Sequence, residues 1–178
     1  MGEARQLKAP KLTLLEQDRL FVAIGRVVVN FQQMELWLAE ALTSVLELHV
    51  LEDRHLVSSS MSFRQKVDLL AVLYERKKVR CPSANIELVK KALYAAEEFR
   101  NRVVHSLWAV DQGEWVQIKA SLRSKSGFDL MTNSVDITQL EAAAAALVII
   151  KEWEIRDESM LRGALDKLKP GYIDLKLG

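Results

Sequence analysis

Apolar residues recur every three or four positions along most of the chain, the period of a helix with one buried face. The boundaries are marked by residues that satisfy orphan backbone groups. Thr13-Leu14-Leu15-Glu16 reads as a capping box and opens a first helix over roughly 13–51, with Gly25 as a point where it can bend. Ser62-Phe63-Arg64-Gln65 is a second capping box and opens a helix over roughly 62–80. Pro82 and Ser83 break the chain before a third helix over roughly 84–107. Asp136 to Glu141 holds two overlapping boxes before a fourth, roughly 139–168, which Lys169, Pro170 and Gly171 stop. Between the third and fourth helices the period shortens to two. Trp108-Ala109-Val110 and Trp115-Val116-Gln117-Ile118 flank a Gly113-containing turn and predict a β-hairpin over roughly 108–120, its two tryptophans facing each other. The polar stretch 121–135 reads as an exposed loop. The expectation is an all-α fold in one domain, 1–178: a four-helix up-down bundle with a small β-hairpin inserted between the third and fourth helices.

Composition narrows the function classes. The chain has 178 residues, 49% of them hydrophobic and 28% charged, ordinary proportions for a globular protein. A net charge of +1 supplies no general attraction to nucleic acid or membrane, so any such binding needs a local patch. One cysteine, Cys81, excludes an internal disulfide, and three histidines form no Cys/His cluster, so no metal and no cofactor is expected. The polar stretch Met1–Pro10 lacks the apolar core of a signal peptide. The longest apolar run, Ala142–Ile150, is too short to span a bilayer and reads as a core helix segment. A cytoplasmic protein with no membrane contact is expected.

The candidate chemistry sits at the end of the third helix, in Arg100-Asn101-Arg102-Val103-Val104-His105-Ser106. At about 100° per residue, Leu93, Ala96, Val103, Val104 and Leu107 share one face, and Arg100 falls in its middle. Asn101 and His105, one turn apart, lie on an adjoining polar flank with Tyr94 and Glu98. An arginine inside an apolar stripe needs a partner. Glu35, central among Ile24, Val28, Phe31, Ala39, Leu42 and Leu46 of the first helix, is the acid expected to pair with it. Such a pair would give Arg100 an architectural role needing no catalysis. The functional reading assigns each group a task. An imidazole takes and gives protons near neutral pH. An amide positions a phosphate oxygen or orients the imidazole, and a guanidinium offers phosphate a planar fork. Arg102 and Ser106 stand beside these three as supporting groups.

Arg100-Asn101-x-x-x-His105 resembles the Arg-polar-x-x-x-His motif of the HEPN superfamily, small helical domains that carry it at the end of a long helix. By layout the resemblance covers roughly 13–169; by residue it covers about six positions. It implies a HEPN-type bundle and a metal-independent endoribonuclease acting on RNA as a homodimer, with the motifs of two subunits in one cleft. Arg100, Asn101 and His105 would be its catalytic residues. The family includes toxins and phage-defence effectors, often beside a nucleotidyltransferase-like antitoxin. It also includes non-catalytic modules that bind a nucleotide or a partner protein, and this alternative stays open.

Basic residues elsewhere offer an RNA backbone a landing site. Arg76, Lys77 and Lys78 close the second helix, and Lys119, Arg123 and Lys125 follow the hairpin. Solvated helix ends and plain surface account for the same residues. His49 and His55, with Glu47, Glu52 and Asp53 around them, lack the convergent spacing of a metal site.

Overall fold

A computed structural model describes residues 14–79, 85–111, 114–124 and 127–169. The chain is mostly helical, with one small antiparallel sheet. Helix α1 runs Leu14–Val45, α2 Leu51–Ser60, α3 Phe63–Lys77 and α4 Ile86–Val104. Strands β1 (Leu107–Asp111), β2 (Glu114–Ser124) and β3 (Gly127–Ser134) follow, then α5 (Ile137–Lys151) and α6 (Glu158–Leu168).

The Ser62 capping box forms as expected: the serine side chain accepts from the Gln65 amide while the Gln65 side chain accepts from the Ser62 amide. Asp136 caps α5 and Asn85 caps α4. Thr13, Pro82 and Ser83 lie outside the described residues. Helix α1 runs through Gly25 without a break, because a helical glycine costs entropy but meets no clash.

Two predicted long helices are each divided. The first ends at Val45, where Glu47 adopts φ 58° and the Leu48 amide reaches back to the Thr43 carbonyl. This left-handed closure satisfies the last carbonyls of α1, and α2 starts anew after it. The fourth ends at Lys151. Trp153 turns fully into the core, and the Asp157 carboxylate accepts from the Met160 amide to restart the chain as α6.

Helix directions depart from the up-down expectation at one step. Phe31 packs on Phe63 with ring centroids 4.8 Å apart, and Lys77 donates to the Val45 carbonyl, so α1 and α3 run parallel. The separate helix α2 lets the chain return before α3 begins. Neighbouring α3 and α4 are antiparallel: Arg64 pairs with Glu97 (2.6 Å) and Glu98 (3.1 Å), Asp68 with Lys90 (2.8 Å). Helix α5 lies along α1, with the Asn30 amide donating to the Ala144 carbonyl (2.9 Å) and Lys151 to the Gln33 side chain (3.1 Å). The interior between these helices is continuous, from Leu20, Val27 and Met34 through Leu70 and Leu93 to Leu147, Trp153 and Leu161. No described helix is long and apolar enough to cross a membrane.

The stretch expected as a hairpin and loop is a three-stranded sheet in the order β1-β2-β3. Residues 127–134, expected in a loop, pair with β2 in register from Val116–Ser134 to Ser121–Asp129. In sequence this stretch is polar enough to read as a loop, a composition that an edge strand tolerates. Register also separates the tryptophans. Trp108 stands opposite Gln117, and Trp115 opposite Val110. Trp115 instead meets Phe21 of α1 edge to face, with centroids 6.4 Å apart.

Candidate functional site

Helix α4 delivers its last turn to the sheet, and the sheet closes the helix. An α-helix leaves its final carbonyls without internal donors. Here the Arg102 carbonyl accepts from the Ser106 hydroxyl (2.6 Å) and the Gln117 amide (3.0 Å), and the Val103 carbonyl from the Trp108 indole (3.0 Å). The Asn101 carbonyl accepts from the His105 backbone amide (3.0 Å), making His105 the C-cap residue. The sheet thus fixes where the chain leaves α4 and where the imidazole emerges.

The motif residues divide into two sets. Arg102 and Ser106 are engaged in holding the fold. The Arg102 guanidinium donates to the Leu168 carbonyl at the end of α6 (3.1 Å) and lies 5.6 Å from the Phe99 ring. Arg100, Asn101 and His105 are not so engaged: among the described residues, none of their side chains makes a hydrogen bond or an ion pair. His105 is exposed, and Asn101 and Arg100 are half-buried.

The expected Glu35–Arg100 ion pair does not form among the described residues. The buried stripe of α1 is centred on Val27, Met34 and Leu38, about 80° around the helix from Glu35. Glu35 therefore sits at the edge of the interface. The Arg100 guanidinium instead lies over the face of Phe31, 4.4 Å from its centroid. A ring face attracts a cation through its quadrupole but accepts none of its N–H donors in the plane. Val104 and Leu107, placed by helical arithmetic on the buried face, are exposed, because α4 ends at Val104 and Leu107 begins β1.

On the neighbouring flank, Tyr94 and Glu98 reach α3. The Tyr94 hydroxyl donates to Asp68 (2.6 Å), and Arg64 stacks 5.0 Å over the Tyr94 ring. Hydrogen bonds from Lys90 and Tyr94 hold the Asp68 carboxyl below the usual carboxylate range. Burial first, and then the bond to Asp68, raises the Tyr94 phenol. This clasp orders the helix pair immediately before the motif.

Among the described residues, Arg76, Lys77 and Lys78 close α3 and do not join the motif. Lys77 ties α3 to the end of α1 through the Val45 carbonyl and Glu47 (3.1 Å). Lys78 is exposed in the left-handed conformation that closes α3, and Arg76 is exposed in its last turn. The side chains of Lys119 and Arg123, on β2, and all of Lys125 lie outside the described residues. Two grooves flank the end of α4. One of about 440 Å³ runs between α4 and α6 past Lys91, Tyr94 and Arg102. A smaller one, about 100 Å³, lies under the sheet beside Phe99, Trp108 and Gln117. Neither of these two grooves is lined by Arg100, Asn101 or His105.

The sheet's role at the helix end, and the groove between α4 and α6, were not legible from the motif. Arg102 joins the two, its carbonyl accepting from Gln117 and its guanidinium lining the groove and reaching the Leu168 carbonyl. Comparison of the chain with family models, with curated proteins and with solved structures gives no match.

Proposed function

We propose that the chain is a metal-independent endoribonuclease of HEPN type, acting on RNA as a homodimer. The observation that carries this reading is the division within one helical turn. Arg102 and Ser106 are bonded into the fold, while Arg100, Asn101 and His105 keep their side-chain hydrogen-bonding capacity available. With Glu35 unpaired to Arg100, an architectural ion pair no longer explains the arginine.

In the proposed reaction the His105 imidazole takes the proton from a ribose 2′-OH, whose oxygen attacks the adjacent phosphorus. The bond to the 5′ oxygen breaks, and that oxygen receives a proton from the His105 of the second subunit. Arg100 faces the charge developing on the non-bridging oxygens and Asn101 positions the phosphate. The products are a 2′,3′-cyclic phosphate and a 5′-OH. In this reading the motif of the second copy completes the cleft and excludes water from it. A role as a toxin or phage-defence effector, held by a nucleotidyltransferase-like antitoxin, belongs to the same reading.

Incubation with labelled single-stranded RNA and tRNA in EDTA, followed by end-group analysis, tests it. Cyclic-phosphate ends are expected; 3′-OH ends or dependence on added metal would overturn it. The same three uncommitted side chains also suit one alternative, a non-catalytic module that binds a nucleotide or partner protein.

A further inference from the structure

The groove between α4 and α6 has an apolar floor, where Leu165 and Leu168 are buried, and walls that carry Lys90, Lys91, Arg102 and Lys169. A further groove of about 370 Å³ shares Lys91, Leu165 and Lys169 with it and extends past Asn85 toward the start of α4. At about 100° per residue, the α4 residues that line the first groove, from Lys90 round to Ala95, cover an arc of about 140°. Asn101 and His105 fall inside that arc, between Lys90 and Glu98. The flank that lines the groove therefore carries on into the motif. His105 follows Arg102 by three residues, about 4.5 Å along the helix axis.

We propose that this groove holds the stretch of single-stranded RNA next to the scissile phosphate. Charge favours a polyanion there. Lys91 is exposed and Arg102 half-buried, and no acid pairs with either among the described residues. The Leu168 carbonyl takes one Arg102 N–H donor and leaves the charge uncompensated. Lys90 and Lys169 are bonded to Asp68 (2.8 Å) and Asp166 (2.6 Å), solvent-facing pairs that a phosphate can share. The other carboxylates of the lining oppose this little. Glu98 is bonded to Arg64 (3.1 Å), and Glu87 stands in the first turn of α4, offset by the helix dipole and far from the motif.

The choice of RNA rests on the nuclease reading above, while the choice of groove rests on charge and on continuity with the motif. An apolar floor between cationic walls suits unpaired bases below and phosphates at the rim. A duplex keeps its bases stacked inside and offers the floor nothing. From Lys91 to His105 is about 21 Å along α4, room for a few nucleotides.

Fluorescence anisotropy of a labelled single-stranded RNA tests the groove, with His105→Ala as the background protein so that the RNA stays whole. Lys91→Glu and Lys169→Glu should each weaken binding at least about fivefold and lower the slope of log affinity against log salt by about 0.7, the share of one phosphate contact on a single strand. Lys78→Glu, the same change of charge at the end of α3, should leave both unchanged. Circular dichroism confirms that each variant is folded. No binding by the folded background, binding indifferent to Lys91 and Lys169, or an equal loss from Lys78→Glu would each overturn the proposal. Tighter binding of a duplex or of an acidic peptide would overturn it too. RNA bound through the two lysines but left whole by the wild-type chain would remove the nuclease reading and keep the groove. Cleavage by a wild type whose RNA binding ignores both lysines would do the reverse.

Discussion

Among the described residues Arg100 is held by the face of Phe31 rather than by an acid, its guanidinium carbon 4.4 Å from the ring centroid. The ring is fully packed between helices, 1% exposed, so it offers a rigid platform. A cation on such a platform is positioned while no acid among the described residues occupies its donors, which suits it to meet a phosphate.

Phe31→Leu separates these roles. Leucine keeps most of the buried volume, so stability should fall by only about 1–2 kcal/mol. Without the ring, RNA cleavage should fall much further than stability, by tenfold or more at a temperature where the variant is fully folded. Urea titration beside initial cleavage rates checks both. Equal cleavage by the variant would show that the platform does not matter.

Arg102→Ala and Ser106→Ala should act in the opposite sense. Each removes a bond that holds the end of α4, to the Leu168 carbonyl or the Arg102 carbonyl. A loss of about 0.5–1.5 kcal/mol is expected for each. Asn101→Ala and His105→Ala remove no such bond and should shift stability by less than about 0.5 kcal/mol. Chemical denaturation of the four variants shows whether the motif divides this way.

Lys78 is exposed with φ 52°, a conformation that disfavours any side chain with a Cβ. Lys78→Gly keeps the bond from the Val79 amide to the Tyr74 carbonyl that closes α3 and should stabilise the fold by about 1 kcal/mol. A rise in Tm checks it; a fall would mean that the lysine contributes more than its strain costs.

These left-handed closures explain where the sequence misled. Glycine is the usual signal for such a stop, and the chain places Glu47 and Lys78 there instead. Periodicity alone therefore carried the first helix past its true end. Helix α5 was extended for a related reason: Trp153 is apolar and fits the running pattern, yet it serves the core from a turn. The Asp157 cap, followed by Met160, Leu161 and Leu165, was the available sign of a restart. Local chemistry was readable where it used conventional residues, as at Ser62 and Asp136. The end of α4 was readable to within a turn, so the motif was correctly placed at a helix end. The Glu35 pairing failed because it depended on the rotation of a whole helix. That rotation is set by packing against α3, α4 and α5 together, which no local spacing records.

The α3–α4 clasp has a pH signature. Bonds from Lys90 and Tyr94 depress Asp68 in the folded state. Its contribution is then fully present above the ordinary carboxylate range, near pH 4, and is lost as pH falls through the depressed folded value. Asp68→Asn should lower stability at neutral pH and flatten the acid limb of the stability curve. Thermal melts between pH 7 and pH 3 read this directly. An unchanged acid limb would show that the clasp contributes nothing to the pH dependence.

The most direct test of the central claim is cleavage of labelled single-stranded RNA in EDTA by wild type and by His105→Ala, both shown to be folded. The account predicts cutting by wild type and at least about a hundredfold loss in the variant, the scale of removing a general acid or base. Equal cutting by the two proteins, or none by a folded wild-type dimer, would contradict it.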